Sequence, residues 1–501
     1  MKHVTFSCSS AVLALLAATA PARADVTADQ IWQQWKDFGA SMGQTIAAAT
    51  EDRSGDTLTL GGVTFDVPVE GGQAKGAIDQ LVLTEAGDGS VTITMSPSYT
   101  VSVVTAPEGG QSTDMEMTVS QEGLAMRASG TPEATNYEVS ADSVTATVPK
   151  LVVDGKPQDL VVDVSASALS GSYFVDGVET RKVDSAIKAG GVAISVSGTD
   201  PEKGGKIAFS MDLADLSGTS TGTYITGLDM SNLAEALNQG FTTTAMLNNG
   251  AMNFTMSVDE PGNAFQGSGT ASSGDLSVRM DSGGLGYAGG AKNLDMVFSG
   301  EQIPLPQVAV TMQEYAYNFL MPVSKSSEPQ DFALLTRIVG LAVGDDIWGM
   351  IDPGAVLPRD PATLIIDLKG KGNWLVDIMT PEATTTEGTP GELHALDVDE
   401  LKLSVAGAEL TGNGAFTFDN SDTTTFGGVP KPTGALDLML VGGNTLMDKL
   451  VQMGLLPQDQ AMGARMMMGL FAKPGDGEDT LVSKIEITPD GAVMANGQRL
   501  Q

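Results

Sequence analysis

The 501-residue chain contains few of the residues on which enzyme chemistry usually depends. It has one cysteine, Cys8, two histidines and only 5% aromatic residues. A single cysteine can form neither an internal disulfide framework nor a multi-thiolate metal site. Beyond its first residues, the chain also lacks an apolar stretch long and charge-free enough to form a transmembrane helix. The composition therefore favours neither a disulfide-stapled protein nor a helical membrane protein.

Basic residues are also scarce, with 27 Lys and Arg against 62 Asp and Glu. The formal net charge of −35 repels nucleic acid and anionic lipid head groups over most of the surface. DNA and RNA are therefore excluded as expected partners. The simplest interpretation of the acidity is that it keeps the protein soluble, since net charge keeps protein molecules apart in solution.

The first residues have the three parts of a secretory signal peptide. Lys2 and His3 form a basic start, Ala11–Ala20 is an apolar run, and Ala22-Arg23-Ala24 offers small residues for cleavage. The run is too short to cross a bilayer, which takes about 20 residues; the alternative is a buried or amphipathic helix. We expect residues 1–24 to be a signal peptide, cut between Ala24 and Asp25, which would deliver a chain without cysteine to the periplasm.

Alternation of apolar and polar residues dominates the chain after that segment. Val63, Phe65 and Val67 are typical of a half-buried strand, and turns such as Asp88-Gly89 favour antiparallel hairpins. The pattern predicts a mainly β fold of long antiparallel, curved sheets with an N-terminal helix and a short helix pair near the C-terminus. The predicted regions are an N-terminal helix at 25–50, an antiparallel β region at 51–300, and a β region at 301–501 with helices at about 330–343 and 444–471.

No catalytic constellation is visible. His394 is the one histidine outside the predicted signal peptide, and no activated nucleophile or orienting partner adjoins it, so we expect a surface or packing residue. Two acidic turns, at 419–422 and 476–479, carry the oxygen ligands that calcium prefers, but neither matches the twelve-residue calcium loop. Solvated loops are the simpler interpretation. The sequence predicts no catalytic residue, no metal and no cofactor.

Methionines form the most distinctive set in the predicted helix pair. Flexible, polarizable thioethers suit a surface that accommodates apolar ligands of varied shape. The alternative is that they fill a core beneath the sheet. The candidate ligand-binding residues are Met447, Met453, Met462, Met466 and Met467.

One segment, residues 345–370, combines a helix end, a turn and an extended linker. It reads W-x-x-x-D-P from Trp348 through Asp352 and Pro353, followed by L-P-R-D-P-A-T-L from Leu357 to Leu364. The linker contains Pro358 and Pro361, and between them Arg359 and Asp360 are expected to form a half-buried charge pair that fixes it.

These motifs resemble the alphaproteobacterial family called domain of unknown function 2125. The closing pattern is similar too, with Gly454-Leu455-Leu456-Pro457 between the two helices and the turns Asp490-Gly491 and Asn496-Gly497. The resemblance extends from about Met321 to the end. It implies an envelope protein with long antiparallel sheets and assigns no catalytic residue. More loosely, that layout is similar to AsmA-like proteins, whose curved sheets offer apolar grooves to lipids.

We therefore predict an exported, non-enzymatic β-sheet protein that binds an apolar, lipid-like ligand or an envelope protein partner. One alternative is an outer-membrane β-barrel, which exported alternating strands also fit, although the scarce aromatics and the C-terminal helix pair argue against it. A second alternative is a hydrolase that uses acidic residues alone, for which no particular pair stands out among 62 acids.

Overall fold

The computed structural model describes residues 25–41, 43–69, 71–107, 109–200, 204–228, 233–378 and 390–501. These residues form one antiparallel sheet of 27 strands together with five helices, and 64% of the chain is strand. The prediction of a mainly β, antiparallel fold is confirmed. The predicted signal peptide, residues 1–24, lies outside the described residues.

The first half of the chain contributes two helices and many of the longest strands. Its elements are α1 (Ala28–Ser41), β1 (Thr45–Ser54), β2 (Thr57–Val69), β3 (Gly72–Glu85), β4 (Val91–Met95), β5 (Ser98–Thr105), β6 (Thr113–Glu122), β7 (Ala125–Gly130), β8 (Ala134–Val153), β9 (Lys156–Pro157), β10 (Asp159–Asp176), β11 (Thr180–Thr199), β12 (Lys206–Ile225), α2 (Leu233–Asn238) and β13 (Thr242–Asn249).

The second half continues the same sheet. Its elements are β14 (Met252–Asp259), β15 (Phe265–Ala271), β16 (Ser273–Asp281), β17 (Gly284–Gly300), β18 (Val308–Met321), β19 (Gln330–Val343), α3 (Asp345–Ile351), β20 (Ala362–Trp374), β21 (Gly391–Val405), β22 (Ala408–Asp419), β23 (Lys431–Val441), α4 (Gly443–Gln452), α5 (Gln458–Phe471), β24 (Lys473–Pro474), β25 (Thr480–Ile487), β26 (Val493–Ala495) and β27 (Gln498–Arg499).

The strands pair mostly with neighbours in the chain, as short turns require. β10, β11 and β12 are registered antiparallel along nearly their whole length. β17 ends at Gly300, β18 begins at Val308, and the two strands pair with each other. The sheet therefore continues across the point where we predicted a division. The division into domains stays a prediction.

α1 is defined by its two ends. The Thr27 hydroxyl accepts a hydrogen bond from the Gln30 N–H, at 3.3 Å, and the Gln30 side chain accepts one from the Thr27 N–H, at 3.0 Å. This reciprocal capping begins the helix. It ends at Ser41, before Gly43, which has a φ of 72°. The predicted extent to residue 50 was wrong, because the β-branched Thr45 and Ile46 already lie in β1.

The largest core lies between α1 and the first strands. Ile31 and Trp32 are 0% and 2% exposed and pack on Leu58, Leu83 and Ile93. A smaller core lies beneath α2, where Leu237 and Phe241 pack with Val323. Apart from these two clusters, most apolar side chains of the sheet are only half-buried.

The helix predicted at 330–343 was wrong. Residues Gln330–Val343 form β19, which pairs with β18 on one side and β20 on the other. Its leucines and alanines favour helix locally, but two flanking strands offer it backbone hydrogen bonds along both edges, and this tertiary context decides its conformation.

The predicted helix pair near the C-terminus is confirmed as α4 and α5. The Asp479 carboxylate accepts hydrogen bonds from the backbone N–H groups of Asn444, at 3.2 Å, and Thr445, at 2.7 Å. It therefore caps the first turn of α4 from another part of the chain. No helix among the described residues combines the length and the apolarity that a membrane-spanning helix requires.

Candidate functional site

One face of the sheet carries a line of apolar side chains and glycines, which is interrupted only by a threonine. Residues paired in an antiparallel ladder point to the same face, so the strand register shows which residues line up. The line crosses the sheet from β2 to β23, and we call it the apolar row. Its members are Leu58, Leu83, Ile93, Met126, Val139, Gly171, Ile187, Gly218, Leu247, Leu276, Gly289, Tyr317, Thr336, Ile366, Leu401, Gly412 and Leu438.

Glycines in the apolar row make room for their larger neighbours. A Cβ at Gly218 would lie 3.1 Å from the Ile187 side chain and 3.2 Å from the Leu247 side chain. A Cβ at Gly412 would lie 2.6 Å from a methyl of Leu438. The neighbouring aliphatic chains thus lean over the glycines, which keeps the apolar surface continuous.

In the middle of the sheet, the opposite face is mostly polar. Thr219, Met246 and Ser277 are paired with one another one residue away from the apolar row, and so are Ser217, Asn248 and Asp275. Since side chains alternate between faces, Met246 and Leu247 point to opposite sides of β13.

Helices cover the apolar row only in part. α1 buries its beginning, where Leu58, Leu83 and Ile93 are inaccessible or nearly so. In the middle of the sheet, Ile187 is 51% exposed, Leu247 37% and Leu276 42%. These three residues, which we call the open stretch, lie around a depression of about 210 Å³. Aliphatic side chains aligned on neighbouring strands and open to solvent are a candidate binding surface.

A second exposed group lies further along the same face. Tyr287, Phe319 and Leu334 are paired in register on β17, β18 and β19. Their exposed fractions are 37%, 39% and 43%. The uncovered apolar surface therefore continues past the open stretch into the second half of the sheet.

A pocket of about 620 Å³ lies where α1 ends its cover of the apolar face. Its floor is sheet, with Met126 and Val139 from the apolar row and Tyr137 and Tyr173, which face each other across β8 and β10. Trp35 and Phe38 of α1, together with Arg181 of β11, form its sides. A mostly apolar concavity with a few polar groups is the usual form of a small-molecule site.

The polar groups of this pocket are held in one small network. Trp35 Nε1 donates to the Tyr137 hydroxyl at 3.2 Å, and Gln34 bonds the Pro132 carbonyl and the Thr135 hydroxyl. Burial raises the pKa of Tyr137, an effect that the Trp35 hydrogen bond opposes, and burial also raises the pKa of Tyr173. Both phenols stay neutral at ordinary pH and present apolar ring surface with a single hydroxyl.

The five candidate methionines lie near the other end of the chain, on α4, directly after it and on α5, and none of them lines the pocket beneath α1. Met447 and Met453 are half-buried, whereas Met462, Met466 and Met467 are 62%, 67% and 55% exposed. The interpretation of these three as core filling was wrong, because α5 buries only Ala461 and leaves these three methionines exposed.

The position of α5 relative to the sheet follows from its last residue. Ser483 donates to the Phe471 carbonyl at 2.6 Å, and Ser483 is paired with Leu438 of the apolar row. The Ser483 side chain therefore points to the apolar face. The last residue of α5 thus lies on the same side of the sheet as α1, at the edge where β24 pairs with β25.

The family-type motif forms a clip between α3 and β20. The Asp352 carboxylate, fully buried, accepts N–H hydrogen bonds from Val356 at 3.0 Å and Leu357 at 2.8 Å. The Leu357 bond lowers the pKa of Asp352 more than any other contact. Pro353 follows it at the exposed turn, and Pro358 packs against the positive-φ Gly407. Each of these contacts shapes the backbone.

The expected charge pair between Arg359 and Asp360 was wrong. Arg359 lies 3.0 Å from Asp345 and stacks over the Trp348 ring at 5.6 Å. Asp360 is exposed, and Pro361 after it starts the approach to β20. Adjacent residues in an extended linker point in opposite directions, so they cannot easily pair with each other.

His394 lies on β21 and contacts an amide. Its Nε2 lies 2.6 Å from the Asn373 side-chain oxygen, and Glu392 lies 3.7 Å away. Asn373 is itself buried and donates to the Ser326 carbonyl at 3.0 Å. The contact joins β20 to β21 and gives the imidazole a structural role.

The acidic turn at 419–422 uses its oxygens locally. Hydrogen bonds from the Thr425 hydroxyl and N–H lower the pKa of Asp422 to about 2. The Ser421 hydroxyl and N–H lower the pKa of Asp419 in the same way, and Lys431 lies 3.6 Å from Asp422. In the turn at 476–479, Asp479 caps α4 instead. Within the described ranges, no group of three or more His, Cys, Asp or Glu residues could hold a metal ion.

The pocket beneath α1 was missed by sequence reasoning. Trp35 and Phe38 lie on one helix, whereas Tyr137 and Tyr173 reach them from strands that come about 100 to 140 residues later in the chain. The alternation Tyr137-Val139 and Tyr173-Val175 indicates inward-facing strand residues, and that signal alone does not show which helix lies over them.

The model for the family described as "uncharacterized protein conserved in bacteria (DUF2125)" matches residues 250–500. The chain belongs to this family. The match begins between β13 and β14 and includes the motif around Asp352 and the helix pair, which confirms the resemblance. The pocket beneath α1 lies before the matched residues.

Other comparisons add little to the family. No curated protein matches the chain. Among solved structures, the crystal structure of the ferric citrate transporter FecA in its unliganded form aligns with 91% of this chain and 76% of its own, at 7% identity and a TM-score of 0.18. A TM-score this low carries no argument about fold or function.

Proposed function

We propose that this chain is an exported, non-enzymatic protein that binds a lipid-like ligand on the apolar face of its sheet. The observation that carries the proposal is the apolar row, which crosses the sheet and is covered by helices only in part. Burial of apolar surface contributes about 25 cal/mol per Å², so an acyl chain laid along aligned aliphatic side chains gains free energy at every strand it crosses. Export is supported by the sequence of residues 1–24.

The polar opposite face supports the same proposal. A sheet whose two faces were both apolar would suit a packed core, whereas one polar and one apolar face suit a protein that meets water on one side and an apolar ligand on the other. The glycines of the row leave a shallow, even surface over which a flexible chain can lie.

Uptake of lipid by delipidated protein tests this function. Purified protein is incubated with phospholipid vesicles, separated from them, extracted and assayed for bound lipid by mass spectrometry. Leu247→Glu places a charge on the open stretch and is expected to reduce bound lipid by about tenfold or more, because a buried carboxylate must lose its hydration. Met246→Glu, one residue away on the opposite face, is the matched control and should leave uptake unchanged.

Two results would count against the proposal. The first is wild-type protein that takes up no lipid at all. The second is equal uptake by the Leu247 and Met246 variants, provided that circular dichroism shows both to be folded.

An envelope protein partner is a second candidate function, favoured by the exposed side of α5. Met462, Met466 and Leu470 are spaced four residues apart and are more than half exposed. Adaptable thioethers are common at surfaces that bind other proteins. Chemical cross-linking in intact cells, with a photoreactive residue at position 466, would detect such a partner. Labelling of lipid alone would argue against it.

A further inference from the structure

Resting on the proposed function, we infer that the pocket beneath α1 takes the acyl chain of an anionic amphiphile, whose head group binds the guanidinium of Arg181. The structure places Arg181, which no carboxylate among the described residues neutralises, at the side of an apolar pocket, and this juxtaposition defines the class of ligand. The chain of the amphiphile would lie on Met126, Val139 and the two tyrosine rings, and its charged end would meet Arg181.

Arg181 differs from six of the seven other arginines inside the described sequence, and the seventh, Arg499, donates to the Gln501 main-chain oxygen at 2.8 Å. Six of them lie within 4.0 Å of a carboxylate. These six are Arg53, Arg127, Arg279, Arg337, Arg359 and Arg465. Among the residues that the structure describes, no carboxylate lies within that distance of Arg181. In a chain with 62 acids against 27 bases, a guanidinium left without a carboxylate is unexpected.

The Arg181 side chain is nevertheless held in place. Its Nε donates to the Val178 carbonyl at 3.2 Å, and its guanidinium carbon lies 5.2 Å from the centre of the Phe38 ring. Stacking on an aromatic ring fixes the plane of the guanidinium and leaves its terminal N–H groups able to donate. A carboxylate or phosphate matches the geometry of this fork, whereas a lysine could bind the same group only as a point charge.

Two acids also line the pocket, and they restrict how a ligand can lie in it. Asp37 and Glu133 are exposed, and the Asp37 carboxylate already accepts a hydrogen bond from Gln33 at 2.7 Å. Exposed charges are screened by solvent and salt, whereas Arg181 is half-buried beside apolar surface. Arg181 is therefore the favoured position in this pocket for an anionic head group.

Isothermal titration of the purified protein with three twelve-carbon probes tests this inference. Dodecanoic acid, 1-dodecanol and dodecyltrimethylammonium share one chain length and differ in head-group charge. The acid is expected to bind about tenfold more tightly than the alcohol, which corresponds to one charge-assisted hydrogen bond. Arg181→Gln should remove that tenfold advantage and leave the affinity for the alcohol unchanged.

Two further variants make the test specific. Arg181→Lys keeps the charge without the fork, so its affinity for the acid should lie between wild type and Arg181→Gln. Arg499→Gln removes an arginine of β27, far along the sheet, and should bind all three probes as the wild type does. Dodecyl phosphate in the same titration distinguishes a phosphate from a carboxylate head group.

The outcomes separate this inference from the proposed function. If none of the probes binds, and the vesicle assay shows no uptake, the proposed function fails. If acid and alcohol bind equally, or the ammonium probe binds most tightly, lipid binding stands and the role of Arg181 is overturned. Loss of binding for every probe in folded Arg181→Gln would also overturn it, because the alcohol does not need the guanidinium.

Discussion

The two ends of the apolar face are covered in different ways. At the N-terminal end, α1 lies directly on the sheet and buries Ile31 and Trp32 completely or almost so. At the C-terminal end, α4 and α5 form a hairpin, and α5 buries only Ala461. α1 thus closes a core, whereas α5 presents apolar surface to solvent.

The difference shows how one pattern of apolar residues serves two purposes. In α1, large rigid side chains fill a space between a helix and strands, and their burial stabilises the fold. In α5, unbranched methionines and Leu470 face outward, so their apolarity contributes little to the stability of the isolated chain. We therefore expect variants at the two ends to separate stability from binding.

Trp32→Ala should have the largest effect on stability. The side chain is 2% exposed, and its Nε1 donates to Glu51 at 2.7 Å. Removing a buried indole is expected to lower the free energy of unfolding by about 3 kcal/mol or more, through lost burial and the cavity left behind. Urea denaturation followed by circular dichroism measures it. A loss below about 1 kcal/mol would mean that α1 is not an integral part of the fold.

Asp479→Ala should have an intermediate effect, because it removes the cap of α4. Burial alone would raise the pKa of Asp479, but the bonds from the Thr445 N–H and hydroxyl and from Asn444 outweigh it and lower the pKa. The variant is expected to cost about 1 kcal/mol of unfolding free energy. Asp479→Asn keeps a side-chain oxygen that can accept these hydrogen bonds, so it should lose less stability than Asp479→Ala.

The same aspartate predicts a pH dependence with a definite sign. A carboxyl with a lowered pKa in the folded state stabilises the fold above its unfolded value, 3.8, and loses that contribution as the pH falls further. Wild type should therefore lose stability below that pH more steeply than Asp479→Asn. If the free energy of unfolding falls with pH equally in the two proteins, Asp479 is not the cause of the acid sensitivity.

Met466→Gln should have the smallest effect on stability. The side chain is 67% exposed, so the free energy of unfolding should change by no more than about 0.5 kcal/mol. Cross-linking of a partner through a photoreactive residue at position 462, in contrast, should fall. A loss of stability as large as that of Trp32→Ala would contradict the contrast between the two ends.

The strands were largely predictable because alternation is a local signal. Val63-Phe65-Val67 and Val91-Ile93 needed only period two to be assigned, and both lie in strands. β19 was not predictable in this way. Its Ala333-Leu334-Leu335 run suits a helix, and the neighbouring strands on both sides decide otherwise.

The candidate site was less predictable than the fold. The apolar row depends on the register of many strand pairs, and a shift of one residue would turn its members to the other face. The pocket depends on the contact between Trp35 of α1 and Tyr137 of β8. Periodicity shows which face of an element is apolar, but it does not show which other element packs on that face. The prediction placed the ligand at the methionines because they are conspicuous in the sequence.

Photo-labelling with a lipid probe tests the central claim most directly. A fatty acid with a diazirine in its chain is bound to delipidated protein, activated by light, and its attachment sites are mapped by peptide mass spectrometry. The account predicts labels on the apolar face, at Ile187, Leu247 and Leu276 and around the pocket beneath α1. Labels confined to the polar face, at residues such as Met246, or confined to α5, would contradict it.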